Sequence, residues 1–568
     1  MARRPGPRSP TRSWTPPGRA TSTCTRGSPA AAGSPDPPEA LLLGLELAVA
    51  LGAALLICGV VERELRLPPP VTLLACGVVL GFIPALRGVT LPPEAVLLLF
   101  LPALLYWESL TTSLREIRSN LRVIVLTSTV LVVATAAAVA VAAQWFGMPT
   151  GPAWVLGAAL APTDATAVAV LARGLPRRTM TILRAESLVN DGTALVIYGI
   201  AVGVVVHQEH LSPVHVSWLF MLAYVGGALA GLLVAWIAMR VRNWLDDPLL
   251  ETSVSVLTPF TAFLLAELIE ASGVLAVVVC GLVLSQYGPR RVGAETRQLT
   301  NAFWRVTTFI LNGALFVLIG LQVQASIRDL THATVGRGLA AVGLISAAVI
   351  GMRVLWSYTT PYIIRAIDRR PQQRLRRVGA RQRLVSAGSG FRGAVSLAAA
   401  LAVPELLDSG EPFPDRDLIV FVTTGVIVVT LVLQGFALPL LIRLARLPED
   451  TALQEERRLA ETVATEEALA VIPEVAASLG TSQPVLERTL TEYETHLKVL
   501  CTICEPEDDP VRDAEDDYAA LRLALLARKR ATIVRLRDER RIDDTVLRMI
   551  QQRLDIEEVR LARREVID

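Results

Sequence analysis

The sequence predicts an all-α polytopic membrane protein of about thirteen transmembrane helices, followed by a helical domain. Three observations predict it. Mean hydropathy is +0.47 and 52% of the 568 residues are hydrophobic, too apolar for an ordinary soluble protein. Apolar runs long enough to cross a bilayer follow one another from about residue 41 to 447. From 448 the chain turns charged and helically periodic, as in Leu521-Arg522-Leu523-Ala524-Leu525-Leu526-Ala527-Arg528. A net charge of +2 gives no ground for a nucleic-acid partner.

Residues 1–40 are rich in Pro, Arg, Ser and Gly and hold no apolar core of a signal peptide. Two readings stay open for them, a disordered tail or an overcalled gene start. The spans then run at about 41–61, 70–86, 91–110, 121–145, 152–172, 182–205 and 215–241. They continue at 249–270, 272–287, 300–322, 336–364, 388–404 and 417–446, with 249–287 nearly fused. If seven spans separate the two halves, spans 1–6 and 8–13 correspond as inverted repeats, and span 5 pairs with span 12.

Loop arginines orient the chain. Arg63, Arg66, Arg115, Arg118, Arg122, Arg173, Arg177, Arg178, Arg184, Arg240, Arg242, Arg290, Arg291, Arg297 and the arginines of 365–383 lie on one side. The loops of the other side hold Arg87, Arg328, Arg337 and Arg416, and Arg3, Arg4, Arg8, Arg12, Arg19 and Arg26 of the first 40 residues dissent there. This asymmetry puts the N-terminus outside and the C-terminal domain, 448–568, in the cytoplasm. The six cysteines show no disulfide framework. Cys501 and Cys504 form a lone C-x-x-C near His496, read as core cysteines, with zinc or redox roles as the alternatives.

Carboxylates inside the spans carry the chemistry. Each costs about 2.5–3.5 kcal/mol on insertion scales, and intramembrane charge points to an ion or proton pathway. Asp164 in span 5 and Glu186 and Asp191 in span 6 fall within about 30 residues. Pro162 removes a backbone donor and breaks span 5 just before Thr163 and Asp164. Carbonyls freed at such a break are ready cation ligands, and the Thr163 hydroxyl adds another oxygen. Four-residue spacing stacks Ser187 with Asp191, and Glu186 with Asn190. Asn190 then hydrogen-bonds Glu186 or steadies a neighbouring backbone, and Gly192 permits close helix approach. Gly388-Ser389-Gly390-Phe391-Arg392-Gly393 in span 12 marks a second interrupted helix, so the site is expected where the two breaks cross. Arg353, deep in span 11, needs a partner, and Glu186 fits that role. Glu46 and Glu108 lie nearer span ends and are expected to face a polar interface rather than the site.

These residues resemble the sodium/proton exchanger family of monovalent cation:proton antiporters. The resemblance covers about 41–446 and rests on Pro162-Thr163-Asp164, Glu186-Ser187-Leu188-Val189-Asn190-Asp191, Ala266-Glu267-Leu268 with Ser272-Gly273-Val274, Leu311 to Gly320, and Arg392-Gly393-Ala394-Val395-Ser396-Leu397. It implies a thirteen-span inverted-repeat fold, a homodimer and alternating access by an elevator-like movement. It implies cation or proton binding at Asp191 and Asp164, helped by Thr163 and Ser187, and a structural Glu186–Arg353 pair. The Asn190-Asp191 pair implies electroneutral exchange of one proton per sodium. In the family's third span an acid directly follows Pro-Pro-Leu-Leu-Phe or -Tyr. Here Trp107 intervenes between Tyr106 and Glu108, which turns Glu108 by about 100°.

The expectation is a plasma-membrane antiporter exchanging sodium or another alkali cation for protons in pH and sodium homeostasis. Its partners are lipid, cation, proton and a second copy, with no cofactor; potassium/proton antiport is the alternative. An intramembrane aspartyl protease would want a Gly-x-Gly-Asp, which does not accompany these aspartates. A cation channel would lack proton coupling.

Overall fold

The computed structural model describes residues 37–65, 67–84, 93–171, 175–207, 213–328, 332–367, 379–447, 452–502, 510–539, 541 and 544–565. Most of the tail of 1–40 and Cys504 lie outside the described residues. The described chain is helical apart from turns and one isolated bridge between Leu406 and Pro412. It divides at Arg446/Leu447 into two compact units, with residues 175–177 grouped with the second.

The first unit opens with α1 (Pro37–Leu65), α2 (Pro69–Leu80), α3 (Pro93–Thr111) and α4 (Leu114–Trp145). Then come the short α5 (Thr150–Leu160) and α6 (Ala165–Leu171), and the long α7 (Arg177–His207). The unit continues with α8 (Val216–Arg242), α9 (Pro248–Leu268), α10 (Gly273–Arg291), α11 (Ala294–Arg328) and α12 (His332–Ile367). A second short pair, α13 (Ala380–Gly388) and α14 (Ala394–Leu401), precedes α15 (Arg416–Ala445). Eight of the described helices are long and apolar enough to cross a membrane: α3, α4, α7, α8, α9, α11, α12 and α15.

Local chemistry sets the helix starts. Ser113 accepts from Glu116 N at 3.4 Å, Asp247 from Leu249 N at 2.7 Å and Ser272 from Leu275 N at 3.3 Å. The nearly fused stretch therefore resolves into α9 and α10, parted by Glu270 in the left-handed conformation, φ 55°. Arg115, Arg118 and Arg122, expected in a loop, instead lie on the first turns of α4. The correction follows from their spacing: Ile117, Asn120 and Ile124 bury one face of an amphipathic start while the arginines stay off it.

Small residues let the helices close in. α2 crosses α11 backbone to backbone: a Cβ on Gly320 would stand 2.8 Å from Gly77 Cα, and one on Gly77 2.9 Å from Gly320 Cα. Gly157 on α5 meets the Ala136 carbonyl of α4, and Gly231 on α8 the Ala276 carbonyl of α10. Gly192 does not work this way. A Cβ there would meet Ser272 Oγ at 3.5 Å, an ordinary contact, so the expected close approach makes no demand for glycine.

Three helices contain a π turn: Val96–Phe100 in α3, Leu126–Val130 in α4 and Leu222–Gly226 in α8. Each inserts an extra residue, so the side chains beyond it are rotated by about 100° against an ideal helix.

The second unit holds α16 (Ala452–Leu479), α17 (Gln483–Thr502), α18 (Pro510–Asp538) and α19 (Asp544–Glu565). Leu526 and Ile533 of α18 pack against Leu547, Leu554 and Leu561 of α19, a seven-residue spacing on both helices. Arg522 pairs with Glu557, and Arg530 with Asp555 and Glu558, along the rim of that seam.

Candidate functional site

The chain leaves helical geometry at residues 161–164, between α5 and α6, and again at 389–393, between α13 and α14. Asp164 N donates to Phe391 O at 2.9 Å, which joins the two breaks directly. A side chain cannot stand at Gly393, because its Cβ would fall on the Asp164 carboxylate. The glycine thus brings the second break against the acid of the first.

α7 supplies the rest. Ser187 Oγ donates to Thr163 O at 2.9 Å and accepts from Ala165 N at 3.2 Å. Asn190 Nδ2 donates to Thr163 Oγ1 at 2.8 Å and to Thr163 O at 3.4 Å. Of the two roles open to Asn190, it takes the second and holds span 5 rather than Glu186. Its Oδ1 is buried and accepts no hydrogen bond among the described residues. Asp191 is 5% exposed, and its charged neighbours are Asp164 and Glu108. Asp164 Oδ1 accepts from Thr166 N at 2.8 Å and from Thr166 Oγ1 at 2.5 Å, while Oδ2 lies against Gly393.

The arginines are fixed from below and above. Arg353 Nη1 donates to Glu186 Oε1 in a buried ion pair, and its Nε donates to Ser386 O at 3.3 Å. Arg392 is 1% exposed; its Nε donates to Leu160 O at 3.1 Å and its Nη1 to Gly390 O. Each arginine caps the carbonyl end of a half-helix, where the helix dipole favours a positive charge.

Five carbonyls at or beside the breaks already have partners within the chain. Leu160 O and Gly390 O serve Arg392, Ser386 O serves Arg353, Phe391 O serves Asp164 N, and Thr163 O serves Ser187 and Asn190. Buried carbonyls must be paired, and the chain supplies internal donors for these five. Asp164, Asp191, Thr163 and Asn190 add side-chain oxygens to the same buried cluster.

Glu108 is half-buried and lies within electrostatic reach of Arg184, Asp164 and Asp191. Glu46 is exposed, away from the crossing. Glu267 accepts from Gly273 N and so caps α10. No group of three or more His, Cys, Asp or Glu is arranged to hold a resident metal among the described residues.

Residues 51–444 match the family described as "Sodium/hydrogen exchanger, transmembrane". An uncharacterized Na(+)/H(+) exchanger of Mycobacterium tuberculosis is 44% identical over 526 residues, 92% of this chain and 97% of the relative. A sodium, potassium, lithium and rubidium/H(+) antiporter of Bacillus subtilis is 31% identical over 52% of this chain and 45% of its own length. The structure of the sodium proton antiporter MjNhaP1 from Methanocaldococcus jannaschii superposes with a TM-score of 0.55. That likeness covers 71% of this chain and 98% of the other, at 18% identity, and extends to the fold.

Proposed function

The chain belongs to the sodium/hydrogen exchanger family, whose members are transporters rather than enzymes, and from that premise we propose that it exchanges sodium for protons one for one by alternating access. The observation that carries this reading is the meeting of Asp164 and Asp191 where two helix breaks are hydrogen-bonded together. A carboxylate pair in a dry site binds either a proton or a small hard cation through oxygen, and the two exclude each other. That exclusion is the coupling: a cation can load only when the proton has left.

Asp191 and Asp164 take the cargo, and Thr163 and Ser187 shape the oxygen shell around it. Asn190, Pro162, Arg392 and the Glu186–Arg353 pair keep the breaks in position. Counting Asp164, Asp191, Glu186 and Glu108 against Arg184, Arg353 and Arg392 leaves one formal negative charge. A single proton or a single alkali cation neutralises it, which supports one-for-one exchange. Thirteen spans, inverted repeats, an outside N-terminus and a homodimer in the plasma membrane complete the proposal, with pH and sodium homeostasis as the role. The second unit is then a cytoplasmic, regulatory domain. Potassium is the second candidate cargo, favoured by the cation range in the name of the Bacillus subtilis relative.

The test is proton movement in proteoliposomes on adding sodium, lithium or potassium in turn. Sodium should drive proton movement, and Asp191→Asn should abolish it. Folded wild-type protein that moves no protons with any alkali cation would overturn the reading.

A further inference from the structure

Two of the three π turns meet α7 beside the cargo site. Thr193 lies two residues beyond Asp191 and is fully buried. Its Oγ1 stands 2.8 Å from Ser128 O, 3.3 Å from Val189 O and 2.5 Å from Tyr224 Oη. A threonine hydroxyl has one hydrogen to give, and Ser128 O is the nearer carbonyl. Tyr224 therefore donates to Thr193, and Thr193 donates to Ser128 O. Ser128 belongs to the π turn of α4 and Tyr224 to that of α8, so one side chain of α7 is bonded toward two helices. The far ends of both bonds are anchored in turn. Ala223 O, in the π turn of α8, accepts from Ser272 N at 3.2 Å, just ahead of α10. A Cβ on Gly227, directly after that turn, would stand 2.7 Å from Ser272 O. On α4, Val132 follows Ser128 by four residues and packs in one cluster with Ala161 of the first break and Ala194 of α7.

The Asp191 side chain has no hydrogen bond to another described residue, so its place is inherited from the height and roll of α7. Side-chain tips stand about 5–6 Å from a helix axis, and about 10° of roll carries one through about 1 Å. A shift of that size is enough to spoil a preorganised site. Asn190 ties α7 to the first break. Thr193, one turn on, ties it to α4 and α8. We propose that Tyr224 and Thr193 are positioning residues that set the roll of α7, hence the place of the Asp191 carboxylate and the apparent affinity for the cation. The inference rests on reading Asp191 and Asp164 as the cargo site. Neither hydroxyl contributes an atom to the bound cation.

The experiment uses the full-length protein in proteoliposomes, with proton movement followed as sodium is titrated. Tyr224→Phe removes one hydroxyl and keeps the ring. It should raise KM for sodium about three- to tenfold, short of the roughly hundredfold that a full 1 Å misplacement costs, while the maximal rate stays within about twofold. Thr193→Val keeps the shape, removes both bonds and should raise KM at least as far. Thr193→Ser keeps the hydroxyl and should hold KM close to the wild-type value. In a Thr193→Val background Tyr224→Phe should add nothing, because its partner is already gone. The sodium concentration that half-saturates the rise in melting temperature should climb in parallel in Tyr224→Phe, a readout independent of turnover. A purely structural role would instead lower the melting temperature and the maximal rate at unchanged KM. Where Thr193→Val does not fold, Tyr224→Phe and Thr193→Ser carry the test between them. An unchanged KM in folded Tyr224→Phe, an equal rise in Thr193→Ser, or a further rise in the Thr193→Val background each overturns the inference while leaving the exchange reading intact. Wild-type protein without cation-driven proton movement overturns both.

Discussion

Asp191 and Asp164 are charged neighbours but are restrained differently. Thr166 holds one oxygen of Asp164 with two hydrogen bonds, while no hydrogen bond joins the Asp191 side chain to another described residue. Asp191 is thus the freer carboxylate, suited to exchange its ligand, and Asp164 the fixed wall. Asp164→Asn should then retain a measurable thermal response to sodium that Asp191→Asn loses, read from melting curves with and without the cation. At Gly393, even Ala should abolish cation-driven proton movement in proteoliposomes, since its Cβ would occupy the place of the Asp164 carboxylate. The Glu186–Arg353 pair makes a separate prediction. Arg353→Ala leaves a buried carboxylate alone, which costs about 3–5 kcal/mol. The melting temperature should fall sharply, and the double change Glu186→Gln with Arg353→Met should recover part of it.

At the scale of helices, the fold rests on close crossings. Gly320→Val would drive a branched side chain into Gly77 and the Leu74 carbonyl, so α2 and α11 would have to separate. Overpacking of this kind costs about 1–3 kcal/mol, and the check is thermal stability in detergent beside Gly320→Ala, the smaller insult. Much of this level was legible in advance. Pro162 and the glycines of 388–393 announced the two breaks, because few residues interrupt a helix at that depth without reason. The carboxylates announced themselves by their cost in an apolar run. What occupies the freed carbonyls was not legible. Arg392 reaches Leu160 across 232 positions of sequence, and helical periodicity carries no information about such contacts. Gly192 follows the Asn190-Asp191 pair, but the close contacts belong to Gly393, Gly320 and Gly157.

At the scale of the whole chain, the two units are built on different physics. The first buries polar chemistry inside apolar helices, while the second is held by a leucine seam flanked by ion pairs. Leu554→Asp should unfold the α18–α19 pair, seen as lost helical circular dichroism and new protease cleavage after 510. A chain ending at Arg446 should still move protons when sodium is added to proteoliposomes, if the second unit tunes exchange rather than performing it.

The capping of the broken helices has one further consequence. Because arginine, serine and asparagine side chains and a peptide N–H already engage five carbonyls at the breaks, the proposed cargo site leans on side-chain oxygens. Backbone ligands are invariant under substitution, but side chains are not. The preference for one alkali metal over another is therefore written in a handful of exchangeable codons. A lineage could retune its ion by point mutation at Thr163, Ser187 or Asn190 and inherit the scaffold unchanged.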